Sequence, residues 1–228
     1  MNFSPSGPQH LVRAAGVPVS DLLPFRLDKR NAVPLDLSAQ NPQLLQIDPK
    51  DTAALDAYVS AHTRAAGARA AVGGYNEDRV LYRRSEHFGG AEPRTVHLGV
   101  DVWTEADTPV FAPLDGHVHS FRDNAGFGDY GPTIILEHRL PGGTFYSLYG
   151  HLSRTSLHGL RVGQRFGAGQ PLGAIGPYPE NGDWPPHLHF QLITDMLGLT
   201  GDFPGVAAPS RRGYYLSVCP DPAFLLLP

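Results

Sequence analysis

The stretch Pro186-His187-Leu188-His189-Phe190-Gln191-Leu192 alternates polar and apolar residues in the way that is typical of a β-strand. Residues two apart on a strand point to the same face, with Cα atoms ~6.6 Å apart, so the imidazoles of His187 and His189 can both reach one cavity. Such a pair is weak evidence by itself, because the chain repeats it at His117 and His119 with no acidic residue nearby in the sequence. We leave His117 and His119 without a functional role.

Several short segments with strand-like composition precede this stretch. They cover residues 108–112, 116–121, 133–138 and 145–149. Turn-forming dipeptides separate them, as at Asp115-Gly116, and the chain has 26 glycines and 22 prolines, which favours many short strands over a helix bundle. We therefore predict a mainly β fold with an antiparallel sheet.

The N-terminal third is predicted to differ from the rest. Residues 1–75 form an extension with one helix over about 48–66, in which Asp48 is the expected N-cap and Pro49 the first helical residue. Residues 76–228 are expected to form the β domain. The tail from Cys219 is expected to dock apolar side chains on the core.

Composition excludes several classes of function. A formal net charge of -4 gives no electrostatic footprint for nucleic acid. Cys219 is the single cysteine, so neither an intrachain disulfide nor a cysteine-rich zinc motif is possible. Residues 1–5 show no signal-peptide pattern and no stretch predicts a membrane span, so the sequence as written is expected in the cytoplasm, or in the periplasm or outside the cell if a signal was trimmed. The oligomeric state stays open.

Two further groups of residues could join the histidine pair. His97 and Asp101 are four apart, which is ~13 Å on a straight strand and too far for one metal ion. Gly99 between them would permit a bend that turns both side chains inward. His151 lies in a third strand-like stretch. An exposed loop histidine and a turn aspartate are the alternative, but three N/O ligands with an open fourth position are typical of catalytic zinc sites.

The order of these motifs resembles the lysostaphin/LytM-type M23 zinc metallopeptidases over residues 94–228. The resemblance lies in the histidine and aspartate motifs above and in the segments 108–116, 134–138 and 162–173 between them. It implies an antiparallel β structure with Zn²⁺ on the floor of a groove. It also implies a zinc-dependent endopeptidase that cleaves peptide bonds of peptidoglycan stem or cross-bridge peptides.

The resemblance assigns a role to each motif residue. It implies that His97, Asp101 and His189 bind the zinc ion and that His151 and His187 are the catalytic pair. The long loop 176–186 and the turn Tyr130-Gly131-Pro132, where the family frequently has Asn in the third position, depart from its pattern.

Three alternatives concern the role of the chain. It could be a non-catalytic module that binds peptides or activates a partner, or a cytoplasmic zinc hydrolase of another amide. The extension could also plug the groove and place Asn76 or Asp78 near the metal, although simple packing of this segment is the more ordinary role.

Overall fold

The computed structural model describes residues 7–226. The predicted mainly β class is confirmed, because twelve strands and four short α-helices account for the regular structure of this range apart from 3-10 turns. The strands are β1 Ala32–Leu35, β2 Ala70–Gly73, β3 Val96–His97, β4 Val100–Trp103, β5 Pro109–Phe111, β6 Gly116–Asn124, β7 Gly131–Leu140, β8 Gly143–Gly150, β9 Arg165–Phe166, β10 Pro171–Ala174, β11 His187–Ile193 and β12 Val206–Ala207. The α-helices are α1 Pro8–Ala15, α2 Thr52–Ala65, α3 Arg212–Val218 and α4 Ala223–Leu226.

One eight-stranded sheet organises the molecule, in the order β1-β2-β4-β11-β8-β7-β6-β9. Every pair in it is antiparallel except β1 and β2, which run parallel. Those two strands belong to the N-terminal extension, so residues before 75 complete the same sheet. The division of the chain at residue 75 stays a prediction, and residues 1–6 and 227–228 of the two predicted regions lie outside the described residues.

The helices of the extension differ from the sequence prediction. The predicted helix over 48–66 is present as α2, but its N-cap is Asp51, whose side chain accepts a hydrogen bond from the amide of Ala54 at 2.9 Å. The side chain of Asp48 instead accepts a hydrogen bond from the backbone amide of Lys50, in the turn that precedes the helix. The single-helix prediction was also wrong, because α1 precedes α2 and packs Leu11 into the main core.

Both faces of the central strands are buried, and this decides where polar side chains point. On β4 and β11 one set of alternating residues enters the main hydrophobic core: Val100, Val102, Leu188, Phe190 and Leu192. The other set lies on the opposite face: Asp101, Trp103, His187, His189 and Gln191. The period of two therefore places a carboxylate, two imidazoles and an amide on one face of neighbouring strands.

Candidate metal centre and its cavity

Three of the predicted residues come together in the structure. Asp101 on β4 lies directly opposite His189 on β11 in the antiparallel register. His97 joins them from β3, because the chain bends at Gly99 between β3 and β4 as the spacing predicted. The ligand atoms of His97, Asp101 and His189 all lie within 4.8 Å of one another, and all three side chains are buried.

The distances within this trio fit a metal ion. His97 Nε2 lies 3.0 Å from His189 Nδ1 and 3.3 Å from Asp101 Oδ1, and His189 Nδ1 lies 2.9 Å from the same oxygen. In a tetrahedral zinc site with ligands at ~2.0–2.2 Å, neighbouring ligand atoms are about 3.3–3.6 Å apart. The trio is therefore already close to one face of such a tetrahedron.

Hydrogen bonds on the outer side of each imidazole fix which nitrogen carries the proton. His97 Nδ1 faces the carbonyl oxygen of Gly74 at 3.0 Å and must donate to it, since a carbonyl oxygen only accepts. His189 Nε2 donates in the same way to Gln191 Oε1 at 2.9 Å, and the Gln191 amide nitrogen is turned away by donating to the carbonyl of Pro204. Two nitrogen lone pairs and a carboxylate oxygen therefore converge on one point, an arrangement that favours a cation.

A buried arginine holds the other oxygen of the carboxylate. Arg79 donates from Nη1 to Asp101 Oδ2, from Nε to Glu77 Oε2 at 2.8 Å and from Nη2 to the carbonyl of Gly74 at 3.2 Å. Burial opposes ionisation of Asp101, yet the adjacent His97 and the Arg79 guanidinium hold its pKa well below the usual value. The carboxylate is therefore charged and oriented.

The three arginines of residues 79–84 differ in their exposure to solvent. Arg79 and Arg84 are 2% and 1% exposed, and only Arg83 faces solvent. Neither residue suggested for a plug reaches the trio: Asn76 accepts a hydrogen bond from Arg212 at 2.7 Å, and Asp78 is exposed. Residues 76–84 thus place the Arg79 guanidinium against Asp101 and contribute no metal ligand.

His151 and His187 lie next to the trio with their ring centroids 4.2 Å apart. Each donates from Nδ1 to a carbonyl oxygen at 2.8 Å, that of Asn181 for His151 and that of Pro185 for His187, which leaves both Nε2 atoms unprotonated. His187 Nε2 is 3.9 Å from Asp101 Oδ1, and its ring stacks on Trp103. These two imidazoles are neighbours of the converging atoms and not part of them.

Burial sets the charge of these histidines. It lowers the pKa of His97 and of His187 to about 4, and it lowers the pKa of His151 well below its usual value. All three imidazoles are therefore neutral near pH 7, the form in which a histidine accepts a proton or binds a metal.

A cavity of about 190 Å³ opens over the trio. Asp101, His151, His187 and His189 line it, and its walls are mainly aromatic. The aromatic side chains are Tyr82, Phe88, Trp103, Tyr130, Trp184 and Phe203. Trp184, from the long loop that departs from the family pattern, is both packed and part of the wall.

Three residues of the site were not found by sequence reasoning. Gln191 could have been, since it lies two residues after His189 and therefore on the same face of the strand. Tyr130, whose hydroxyl lies 3.3 Å from His189 Nε2, and Arg79 gave no signal, because only the fold brings them to the site. Tyr130 lies in the turn Tyr130-Gly131-Pro132, which departs from the family pattern.

Comparison with known proteins matches this part of the chain to a family. The model of peptidase family M23 matches residues 95–198. Residues 95–198 are therefore similar to peptidase family M23, and we call them the M23 region. This M23 region contains His97, Asp101, His151, His187 and His189, whereas Arg79 and the aromatic residues Tyr82 and Phe88 come from the chain before it.

Three solved structures with similarity to the chain are described as peptidases. A crystal structure from Pseudomonas aeruginosa assigned to peptidase M23 is 24% identical over 60% of this chain and 47% of that chain, with a TM-score of 0.38. A zinc-containing peptidase from Vibrio cholerae is 26% identical over 43% of this chain and 27% of that chain, with a TM-score of 0.33. The catalytic domain of lysostaphin from Staphylococcus simulans is 26% identical over 53% of this chain and 80% of that chain, with a TM-score of 0.36. The chain thus spans less than half the length of the first two, and no curated protein matches it.

The helices of residues 7–226 do not combine the length and the apolar character that crossing a bilayer requires.

Proposed function

We propose that the protein is a zinc-dependent peptidase in which His97, Asp101 and His189 bind the metal and His151 and His187 are the catalytic pair. The observation that carries the proposal is the convergence of two unprotonated imidazole nitrogens and one carboxylate oxygen within 2.9–3.3 Å of one another. The match of residues 95–198 to the model of a peptidase family supports the same reaction class.

The cofactor would complete chemistry that the side chains cannot perform alone. Zinc held by His97, Asp101 and His189 would supply a Lewis acid for the scissile carbonyl and would lower the pKa of a water molecule to about 7. One histidine of the pair, neutral and unprotonated at Nε2, accepts the proton of the attacking water. Hydrolysis then breaks the C–N bond, and the imidazolium returns the proton to the leaving amine.

The second histidine of the pair stabilises charge in the same reaction. With ring centroids 4.2 Å apart, His151 and His187 can contact the same substrate group. Because its Nε2 is unprotonated in the neutral ring, this imidazole donates a hydrogen bond to the oxyanion on the carbonyl oxygen only when that atom holds the proton taken from the attacking water. The Trp103 ring, stacked on His187, restricts the rotation of that imidazole.

The substrate expected from the family resemblance is a peptide of the bacterial cell wall. The non-catalytic alternative fits less well, because a module that only binds peptides does not need neutral histidines with their proton positions fixed beside three converging ligand atoms.

Metal content and turnover, measured together, test the proposal. We expect His97→Ala and His189→Ala to lose stoichiometric zinc, and His151→Ala to keep zinc but to lose at least 100-fold in hydrolysis of muropeptides or glycine-rich peptides. His119→Ala, the same change on β6 outside the cavity, should retain both properties. Full zinc occupancy in both ligand variants would overturn the metal assignment, and zinc without any turnover in the unmodified protein would favour the binding module.

A further inference from the structure

A segment from outside the M23 region covers the site. We call residues 79–88 the roof: Leu81, Tyr82 and Phe88 from this segment line the cavity, and they are at most 7% exposed. Beneath the roof, the five predicted site residues are all at most 5% exposed. Access to the site is thus set in part by residues that precede the matched family region.

Two buried arginines fasten the roof at its start and near its middle. Arg79 is held by Glu77, Asp101 and the Gly74 carbonyl, as described above. Arg84 donates from Nη2 to Thr52 Oγ1 at 2.9 Å and to the Asp183 carbonyl at 2.7 Å, and its guanidinium lies 4.2 Å above the Trp184 ring. Because a buried charge without partners is costly, these contacts keep the roof in place.

The cavity under the roof is small and has an apolar inner end. Its volume of about 190 Å³ is little more than the ~150 Å³ of an engineered cavity that holds one benzene molecule. Exposed lining residues, His87 and Leu199, mark the mouth, whereas Trp103 and Trp184 are 2% and 4% exposed and close the inside. A space of this volume fits about one apolar side chain with its backbone, which is less than several residues of an extended peptide occupy.

We propose that the roof restricts this site to short peptides and chain ends: one or two residues with an apolar side chain enter the cavity, and the chain is cut next to them. The proposal rests on the peptidase function above. It excludes internal bonds of a long or cross-linked peptide, and therefore intact cell-wall polymer. The reaction adds one water across the C–N bond and releases a single residue or a dipeptide.

The product pattern of the full, zinc-loaded chain tests this directly. The substrates are linear decapeptides that carry glycine, alanine, D-alanine, leucine or phenylalanine at each position, their head-to-tail cyclic counterparts, the matching dipeptides and tripeptides, and purified cell-wall sacculi. We expect mass spectrometry to show single residues and dipeptides released from linear peptides, with cyclic peptides and sacculi cut at least tenfold more slowly.

A variant of the roof provides the second test. Phe88→Ala widens the cavity without changing any of the five site residues, so internal and cyclic cleavage should rise at least tenfold relative to dipeptide cleavage. Phe224→Ala, which removes the same ring from a half-buried position away from the cavity, should leave that ratio unchanged.

The outcomes separate this inference from the proposed function. Internal fragments from decapeptides, or soluble fragments from sacculi, produced by the unmodified protein at rates similar to dipeptide cleavage overturn the size restriction and leave the peptidase intact. Absence of cleavage of every substrate by protein that contains zinc overturns the peptidase proposal, and the size restriction with it.

Discussion

Arg79 donates a hydrogen bond to Oδ2 of Asp101, so the carboxylate presents only Oδ1 to His97 and His189. The guanidinium carries one positive charge, and Glu77 at 2.8 Å balances it. The pair of Arg79 and Asp101 is buried, with side-chain exposures of 2% and 4%. Such a pair orients a ligand, but it also makes the folded protein depend on both partners.

The first prediction concerns this ion pair and the metal. Arg79→Met leaves the Asp101 charge uncompensated, which should destabilise the metal-free protein by about 3–5 kcal/mol. A divalent cation restores a partner to Asp101, so zinc should raise the unfolding temperature of Arg79→Met by more than that of the unmodified protein. Thermal unfolding with chelator and with zinc measures both effects.

Arg83→Met is the matched control, because it makes the same change at an exposed neighbour and should alter neither value. A loss of stability in Arg79→Met that is equal with and without zinc would show that the arginine has no connection to the metal.

The second prediction concerns the hydrogen bond behind His189. Gln191→Leu removes the acceptor that keeps the proton on Nε2, so Nδ1 is no longer held unprotonated towards Asp101. We expect zinc affinity to fall about 10- to 100-fold in competition with a chromogenic chelator. Gln191→Glu keeps an acceptor at this position and should retain most of the affinity; equal losses in both variants would count against the tautomer argument.

The third prediction concerns the close approach of Gly99 to the next strand. A Cβ at this position would lie 2.7 Å from the Phe190 carbonyl oxygen and 2.8 Å from ring atoms of His189. Gly99→Ala should therefore displace the His189 ring and abolish zinc binding, measured as metal per chain after gel filtration. Gly213→Ala meets no atom within 4 Å and serves as the control. If Gly99→Ala binds as much zinc as the unmodified protein, strand β11 moves to accommodate the added Cβ and the prediction is wrong.

Much of this site could be predicted from the sequence, because the patterns that indicate it involve residues close together in the chain. The alternation in β11 and the glycine between His97 and Asp101 depend on neighbours in the chain, and the expected bend is present. Asp48 was predicted as the N-cap, whereas the structure has Asp51 at that position; both aspartates precede the helix, and only the three-dimensional path of the chain selects one. Arg79 could not be placed, because its partner Asp101 is 22 residues away and its burial depends on the whole sheet.

The fourth prediction concerns His138, a buried histidine away from the cavity. Its Nδ1 donates to the Asp115 carbonyl at 2.8 Å, so its Nε2 accepts from the Ser147 hydroxyl at 2.7 Å, and both bonds suit the neutral ring. Burial lowers the pKa of His138 to about 4, whereas an unfolded chain takes up this proton near pH 6.5. Below pH 6.5 the unfolded state therefore binds more protons, and stability falls as the pH falls towards 4.

The contribution of His138 to the pH dependence of stability can be measured with a variant that lacks a titratable ring. The shift corresponds to about 3 kcal/mol at the acid end, so the unfolding free energy of His138→Gln should fall less steeply between pH 6.5 and 4. Urea titrations of metal-free protein at several pH values give the two curves. Parallel curves would show that His138 does not carry this dependence.

The pairing of β2 with β4 has a practical consequence for work with fragments. Ala71, Val72 and Gly73 cover the backbone of Trp103, Val102 and Asp101. A fragment trimmed to the family boundary at residue 95 would expose the unpaired amides and carbonyls of β4, a free edge that invites strand addition from another molecule. Such a fragment is expected to self-associate through the strand that carries Asp101, so low activity in it would reflect aggregation and not the chemistry of the intact protein.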